Sequence, residues 1–251
     1  MSTLANAAAV RAFRLIDILA RADHPLTLTE VVETIELPKQ TVHRILKQLE
    51  GAGLVTRTDV QHRYECSALV RRMAVNLLMT SGPAAARHAI LLKLSDAVQE
   101  TCNLTMSSGE DIVYLDRVEA NWSLRYVLGV GSRVPYHCTA SGKLLLSFLA
   151  KVQRERLLEQ LPLRRCTERT YTDRRQLREE LQLIRKQRFS FNDEEFKSGM
   201  IAIAVPVMLG KDRVCAAVAI QTTTQRMSTA QLEQFLPQLK LAAEESAKTF
   251  L

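Results

Sequence analysis

The 251-residue chain has no apolar run near the ~20 residues that a membrane-spanning helix needs, which argues against a helical membrane protein. Its first residues lack the charged-then-apolar pattern of a secretion signal, so a cytoplasmic protein is expected. No internal repeat and no low-complexity tract is present. Cysteine is sparse. Cys66, Cys102, Cys138, Cys166 and Cys215 are odd in number and widely spaced, without a C-x-x-C pair. That argues against a disulfide scaffold or a metal site and for buried, reduced thiols. The spacing of a phosphate loop is missing before Gly142-Lys143, and no cofactor is expected.

Charge is less informative than its total suggests. The net +7 invites a nucleic-acid reading, yet residues 1–80 hold 10 Lys/Arg against 8 Asp/Glu, and residues 81–251 hold 24 against 19. Bulk charge therefore does not locate a DNA surface. The Arg-rich stretch 164–188 reads as the solvated face of a helix.

Local pattern does locate one. In 26–54, Thr27 and Glu30 form a capping box ahead of a short helix through Val31, Val32 and Ile35. Glu36 and Leu37 make a turn, and Pro38 suits a first helical position because its missing N–H would be unpaired there. A second helix comes next, with Val42, Ile45, Leu46 and Leu49 at the 3, 4 and 7 spacings of one face. Lys39, Gln40, Thr41, His43, Arg44 and Lys47 fall on the others, and Gly51 and Gly53 can end the helix. Such a polar face could be plain solvated surface, or it could enter a DNA major groove.

The segment after this helix favours DNA. Residues 54–57 and 63–66 bracket a polar stretch as two short strands would, the outline of a wing with Arg57, His62 and Arg63 placed for phosphate contacts. Thr27, Lys39, Gln40, Thr41, His43, Arg44, Lys47, Arg57 and Arg63 are the expected DNA-binding residues. Gln40 can bond adenine at two points or face a phosphate or water.

Ahead of this motif, residues 7–20 carry an amphipathic stripe, Val10, Phe13, Ile16, Leu19 and Ala20, with Asn6 as a possible cap. After it, Ser67 caps a connecting helix through Leu69, Val70, Met73, Ala74, Leu77 and Leu78, ended by Ser81-Gly82-Pro83. Its apolar width suggests pairing with a second copy. Beyond Pro83 a helix to about Thr101 leads to strands at 102–106, 112–118 and 123–128, with a hairpin turn at 107–111. Thr139 to Lys143 open a helix, another begins near Lys151, and Thr172 caps a charged helix to about Gln187. Strands at 201–208 and 214–222 flank Gly210-Lys211-Asp212, and Ser228 caps a final helix to Phe250. The expected fold is α+β: a winged helix-turn-helix in 1–66, a linker helix in 67–82 and a sheet domain in 83–251.

Three stretches make the chain resemble the IclR family of bacterial transcriptional regulators. LPKQTVHRILKQLEGAGLV is similar to that family's L-P-K-S-T-x-H-R-L-L-x-x-L-x-x-x-G-x-V, with Gln40 where Ser is usual. Pro135 to Lys143 resembles its P-L-H-x-T-A-x-G-K segment, and 192–207 its D-x-E-E…G…A-x-P-V segment. The resemblance implies a GAF-like C-terminal domain with a central antiparallel sheet that binds a small effector, and dimers or tetramers on palindromic operators.

It also implies an effector pocket near Tyr126, Val134, Ala140, Ser141, Asn192, Ala202, Ala219 and Gln221, and His137 is expected to order the pocket wall by hydrogen bonding. Members that bind very small oxo-acids carry an acid where Asn192 stands, a thiol at Ala202 and hydroxyls at Ala219 and Gln221. The departure suggests a less polar, roomier pocket for a small organic acid or an aromatic acid. The free amides of the helix start at Ser141 and Gly142 could receive an anionic effector there.

Catalysis is not expected. His137 and Cys138 are neighbours, and neighbours on a strand point to opposite faces, so they form no dyad. Asp193-Glu194-Glu195 reads as a turn rather than a cation site. A small-molecule enzyme or sensor that keeps the winged domain for protein contacts is the competing function.

Overall fold

Helix α1 (Ala8–Arg21) opens the first of two units, Met1–Asn76, and buries Leu15 and Leu19. The structure is a computed structural model and describes residues 8–22, 24–58, 62–80, 83–121, 128–210 and 213–250. The buried stripe of α1 is centred on Leu15 and includes Ala12 and Ile16, so Val10 and Phe13, expected inside, lie outside. Phe13 is 66% exposed. Asn6 lies outside the described residues.

Helix α2 (Leu28–Thr34) starts on the predicted capping box, with Thr27 and Glu30 satisfying each other's amides. Helix α3 (Lys39–Gly51) begins one residue later than expected, because Pro38 is its N-cap, and the Pro38 carbonyl takes the Thr41 and Val42 amides at 2.8 and 3.1 Å. Val42, Ile45, Leu46 and Leu49 are all buried, as their spacing requires. Gly53, at φ +69°, supplies the left-handed turn that sends the chain into strand β1 (Val55–Arg57). β1 pairs antiparallel with β2 (Tyr64–Cys66), and Leu26 bridges to Tyr64 on the far side. Residues 59–61 lie outside the described residues.

Helix α4 (Ala68–Thr80) is capped by Ser67, whose Oγ accepts the Val70 amide at 3.4 Å. The boundary between the two units falls inside α4, after Asn76. Its Leu69, Met73 and Leu77, four residues apart and so on one face, are exposed.

The second unit, Leu77–Leu251, is built on a six-stranded antiparallel sheet of order β5-β4-β3-β8-β7-β6. The strands are β3 (Thr101–Ser108), β4 (Asp111–Val118), β5 (Arg133–Pro135), β6 (Ser190–Asp193), β7 (Met200–Met208) and β8 (Val214–Thr223). β5 and β6 are too short for an alternation signal and were not expected as strands. The expected strand at 123–128 lies outside the described residues except for Leu128, which is not in a strand. Lys211 and Asp212 also lie outside.

Among the described residues the α-helices of this unit are α5 (Pro83–Val98), α6 (Ala140–Phe148), α7 (Lys151–Gln160), α8 (Arg174–Gln187), α9 (Thr229–Glu233) and α10 (Leu236–Ala247). Asp173, not Thr172, caps α8, since its carboxylate reaches the Gln176 amide at 2.9 Å. The single final helix that was expected is broken at Phe235, where Pro237 cannot continue the amide ladder of α9. α5 and α10 pack on β3, β4, β7 and β8, while α6 packs on β3, β6, β7 and β8 and on α8. Ala202, Ala204, Ala217 and Ala219 share one buried cluster with Ala140, Leu144, Leu145 and Leu146. Four alanines give the sheet a low floor there, so α6 can lie close with eight of its residues buried.

Candidate DNA-reading face and effector cavity

In the first unit, burying one face of α3 fixes what the other presents. Lys39, Gln40, Arg44 and Lys47 are exposed, and Thr41 and His43 are half-buried. The helix therefore offers cations and hydrogen-bonding side chains on one surface, with Gln40 and Thr41 in its first turn. Thr27 is occupied by its cap: its amide donates to Glu30 Oε2 at 2.6 Å and its Oγ1 accepts the Glu30 amide at 3.3 Å. The Thr27 amide and then the Thr27 hydroxyl, both bonded to the carboxylate, hold the Glu30 carboxyl below its ordinary range, with Arg63 as a smaller contribution. Arg63 donates to Glu30 Oε2 at 3.1 Å and to the Pro25 carbonyl at 2.9 Å, tying the start of β2 to the start of α2. It is thus a positioning residue at the base of the wing. Arg57 is exposed, its guanidinium 5.8 Å from the Tyr64 ring centroid.

In the second unit, strand register assembles a floor. Asn192 pairs with Ala202, and Ala202 with Gln221, so three expected pocket residues lie side by side across β6, β7 and β8. The adjoining row is Asn103 and Ala219. Above them Thr139 caps α6, its Oγ1 accepting the Gly142 amide at 3.1 Å, which leaves the first two helical amides, of Ala140 and Ser141, without an intrahelical partner. Gly142 is required because a Cβ there would lie 2.4 Å from both Thr139 Oγ1 and the Tyr136 carbonyl.

These groups enclose a cavity of about 20 Å³, lined among the described residues by Asn103, Thr105, Tyr114, Val134, Thr139, Ala140, Ser141, Asn192, Phe196, Met200, Ala202, Ala219 and Gln221. Tyr126 lies outside the described residues. His137 does not line the cavity; its Nε2 meets the Arg164 carbonyl at 2.9 Å, and burial lowers its pKa. The cavity mixes Val134, Ala140, Phe196, Met200, Ala202 and Ala219 with polar side chains. The space suits one or two waters, and seven of the thirteen lining residues are polar.

Arg117 sets the polarity of that lining. Its side chain is 5% exposed and donates to Asn103 Oδ1 at 2.7 Å and Gln221 Oε1 at 3.5 Å. Asn192 Oδ1 is also engaged, by the Glu195 and Phe196 amides at 2.9 and 3.3 Å. With three amide oxygens taken, the amide N–H groups remain as donors. Arg117 was missed from sequence, as were Asn103, Thr105 and Tyr114. The available signal was a polar residue at alternate positions of a buried strand, which needs a reason to be there.

Lys143 is buried beside the cavity wall, with Nζ at 2.5 Å from Glu195 Oε1 and 3.2 Å from Glu180 Oε1. Burial raises the Glu195 carboxyl despite Lys143. The cysteines are less uniform than expected. Cys66, Cys102 and Cys138 are buried, Cys215 is half-buried and Cys166 is exposed. Burial pushes the Cys102 and Cys138 thiols up and Cys215 to about 11, so none of the three is a ready nucleophile.

Residues 82–247 match the Bacterial transcriptional regulator IclR C-terminal family, and residues 8–59 match the IclR helix-turn-helix domain. The chain belongs to the IclR family. It is a DNA-binding transcriptional regulator with a C-terminal effector-binding domain. It is 58% identical over 250 residues to the "Probable transcriptional regulator SauR" of Cupriavidus necator, covering 100% of this chain and 99% of that protein. The Thermotoga maritima IclR structure superposes with TM-score 0.64 at 26% identity, covering 95% of this chain and 96% of that one. A double mutant of the PobR inducer-binding domain from Acinetobacter, in complex with 3-hydroxybenzoic acid, gives TM-score 0.61 at 29% identity over 67% of this chain and 98% of that one. The family and these relatives are transcriptional regulators rather than enzymes.

Proposed function

We propose that this regulator controls a catabolic or metabolic operon and that a small organic acid in the cavity of the second unit shifts its DNA affinity. The observation that carries the reading is the donor set. Arg117 engages the amide oxygens of Asn103 and Gln221, and the N-terminal amides of α6 at Ala140 and Ser141 lie on the same cavity. A cavity of donors under the positive end of a helix favours a carboxylate. Val134, Ala140, Ala202 and Ala219 supply its apolar wall, and Asn192 and Gln221 its amides. The PobR domain carries an aromatic acid, and here the narrow cavity would widen by movement of Phe196 and Met200 to admit an acid.

DNA is read by α3, with Gln40 and Thr41 on base edges and Lys39, His43, Arg44, Lys47 and Arg57 on the backbone. Thr27 and Arg63 support it from the base of the wing. Residues 1–66 form the reading head and 67–82 the connection to 83–251. The exposed stripe Leu69, Met73 and Leu77 supports association into a homodimer or tetramer on a palindromic operator. Effector binding would then shift the population whose two heads fit the half-sites. Such a protein works in the cytoplasm.

Calorimetry against short mono- and dicarboxylates, with neutral amides of equal size as controls, tests the effector reading. Carboxylate binding that weakens at least tenfold in Arg117→Met is expected. Binding of the neutral analogues alone, or of neither class, overturns it. A salt-sensitive mobility shift with the DNA upstream of its own gene tests the DNA half, and turnover of a small molecule without DNA binding would favour the competing enzyme reading.

A further inference from the structure

His137, Cys138 and Cys166 come together although 28 residues separate the two cysteines. A ring nitrogen of His137 and the two Sγ atoms all lie within 4.8 Å of one another. The Sγ–Sγ distance is 3.9 Å. Two thiolates on a tetrahedral zinc, each at about 2.3 Å, are separated by about 3.8 Å. A disulfide would need the sulfurs at about 2.05 Å. The spacing excludes a disulfide and suits two ligands to one ion, with the two thiols sharing an S–H···S hydrogen bond when no ion is bound.

The surroundings fit the same use. His137 and Cys138 are buried, whereas Cys166 is exposed and gives an ion its way in. His137 Nε2 meets the Arg164 carbonyl at 2.9 Å and Cys166 Sγ reaches the same carbonyl at 3.7 Å, so one backbone group holds two of the three candidate ligands in place, as outer partners of metal ligands do. Sulfur and imidazole together select a thiophilic ion over calcium or magnesium. We infer that His137, Cys138 and Cys166 form a binding site for a thiophilic divalent ion of the zinc class, with solvent as the fourth ligand.

The site is also placed to act on the cavity, a consequence that rests on the effector reading above. Cys138 directly precedes Thr139, Ala140 and Ser141, which line the cavity. On the other side, Thr167 Oγ1 and Thr170 Oγ1 donate to the Glu194 and Glu195 carbonyls, each at 2.7 Å, and Thr170 Oγ1 accepts the Cys166 amide at 3.0 Å. Glu195 in turn donates its amide to Asn192 of the cavity. An ion between Cys138 and Cys166 would therefore clamp the start of α6 to the turn that holds Asn192.

The test uses the reduced full-length protein titrated with cobalt(II) and, in competition with a chelator, zinc(II). One ion per chain with sulfur-to-cobalt charge-transfer absorption is expected. Cys166→Ser, at an exposed position, should lose that absorption and bind zinc more weakly than the ~10–100-fold cost of losing an outer partner. His137→Gln should keep a donor for the Arg164 carbonyl and still weaken binding, while Cys215→Ser should leave it unchanged. No uptake by the wild type, equal uptake by Cys166→Ser, or a Cys138–Cys166 disulfide formed under mild peroxide by a protein that takes up no metal would each overturn the inference. Metal binding without any response to carboxylates would leave the site standing and sink only the effector reading.

Discussion

Helices α3 and α6 solve opposite problems. α3 buries four residues of its thirteen and presents the rest outward, whereas α6 buries eight of nine. A helix that meets a ligand larger than itself needs only one dry face; a helix that closes over a small ligand must be enclosed with it. Their glycines differ in the same sense. Gly51 ends α3 with open space where a Cβ would go, and Gly142 sits in the first turn of α6 against the Tyr136 backbone.

The largest effects come from the two cores. Leu46 and Leu144 are both fully buried, so each Leu→Ala change should cost about 2–5 kcal/mol. Leu46→Ala should abolish the mobility shift and spare effector binding; Leu144→Ala should do the reverse at the effector. Denaturation followed by both binding assays checks this, and equal damage to both activities by either variant would break the comparison. Gly142→Ala should come next at about 1–3 kcal/mol, because backbone rather than a flexible side chain must give way. Calorimetry should show its effector affinity lost before its DNA affinity.

Arg44→Ala tests the exposed face. If Arg44 meets a phosphate, affinity falls for every DNA sequence and the salt slope drops by about one unit. Unchanged binding at several salt concentrations would remove α3 from the groove. Gly51→Ala should have the opposite sign to Gly142→Ala, raising stability by about 0.5–1 kcal/mol in thermal melts, since Gly51 has an ordinary helical φ and nothing to strike.

The same contrast explains what could be read in advance. α3 announced itself because an amphipathic helix writes its burial into a 3-4-7 spacing, and Val42, Ile45, Leu46 and Leu49 obey it. α6 has almost no polar face, so only its opening at 139–143 was legible. The cavity lies further still from sequence. Asn103, Ala219, Ala202 and Gln221 meet through register across β3, β8 and β7, and no local pattern encodes register between strands about 100 residues apart. Arg117 was missed because its reach to Gln221 depends on that register, and the approach of Cys138 to Cys166 joins two turns 28 residues apart that carry no local pattern either. Resemblance supplied Val134, Ala140, Ser141 and Asn192, and could not supply the cavity's size.

A smaller test sets one capping box against another. α2 starts on Thr27 and Glu30, where the Thr27 amide reaches Glu30 Oε2 at 2.6 Å; α9 starts on Ser228 and Gln231, where the Ser228 amide reaches Gln231 Oε1 at 2.8 Å. The geometry is shared, and only the first box titrates. The Thr27 amide and hydroxyl bonds hold the Glu30 carboxyl below its ordinary 4.5, so the folded state binds its proton less readily than the unfolded chain does. That contribution is complete above 4.5 and is lost as pH falls through the folded value. The amide of Gln231 carries no such dependence. Hydrogen exchange tracked downward from neutral pH should therefore show protection fading at α2 before α9, after correction for intrinsic rates. Glu30→Gln should make the two helix starts behave alike, and a pH response at α2 that survives this change would place its origin elsewhere than Glu30.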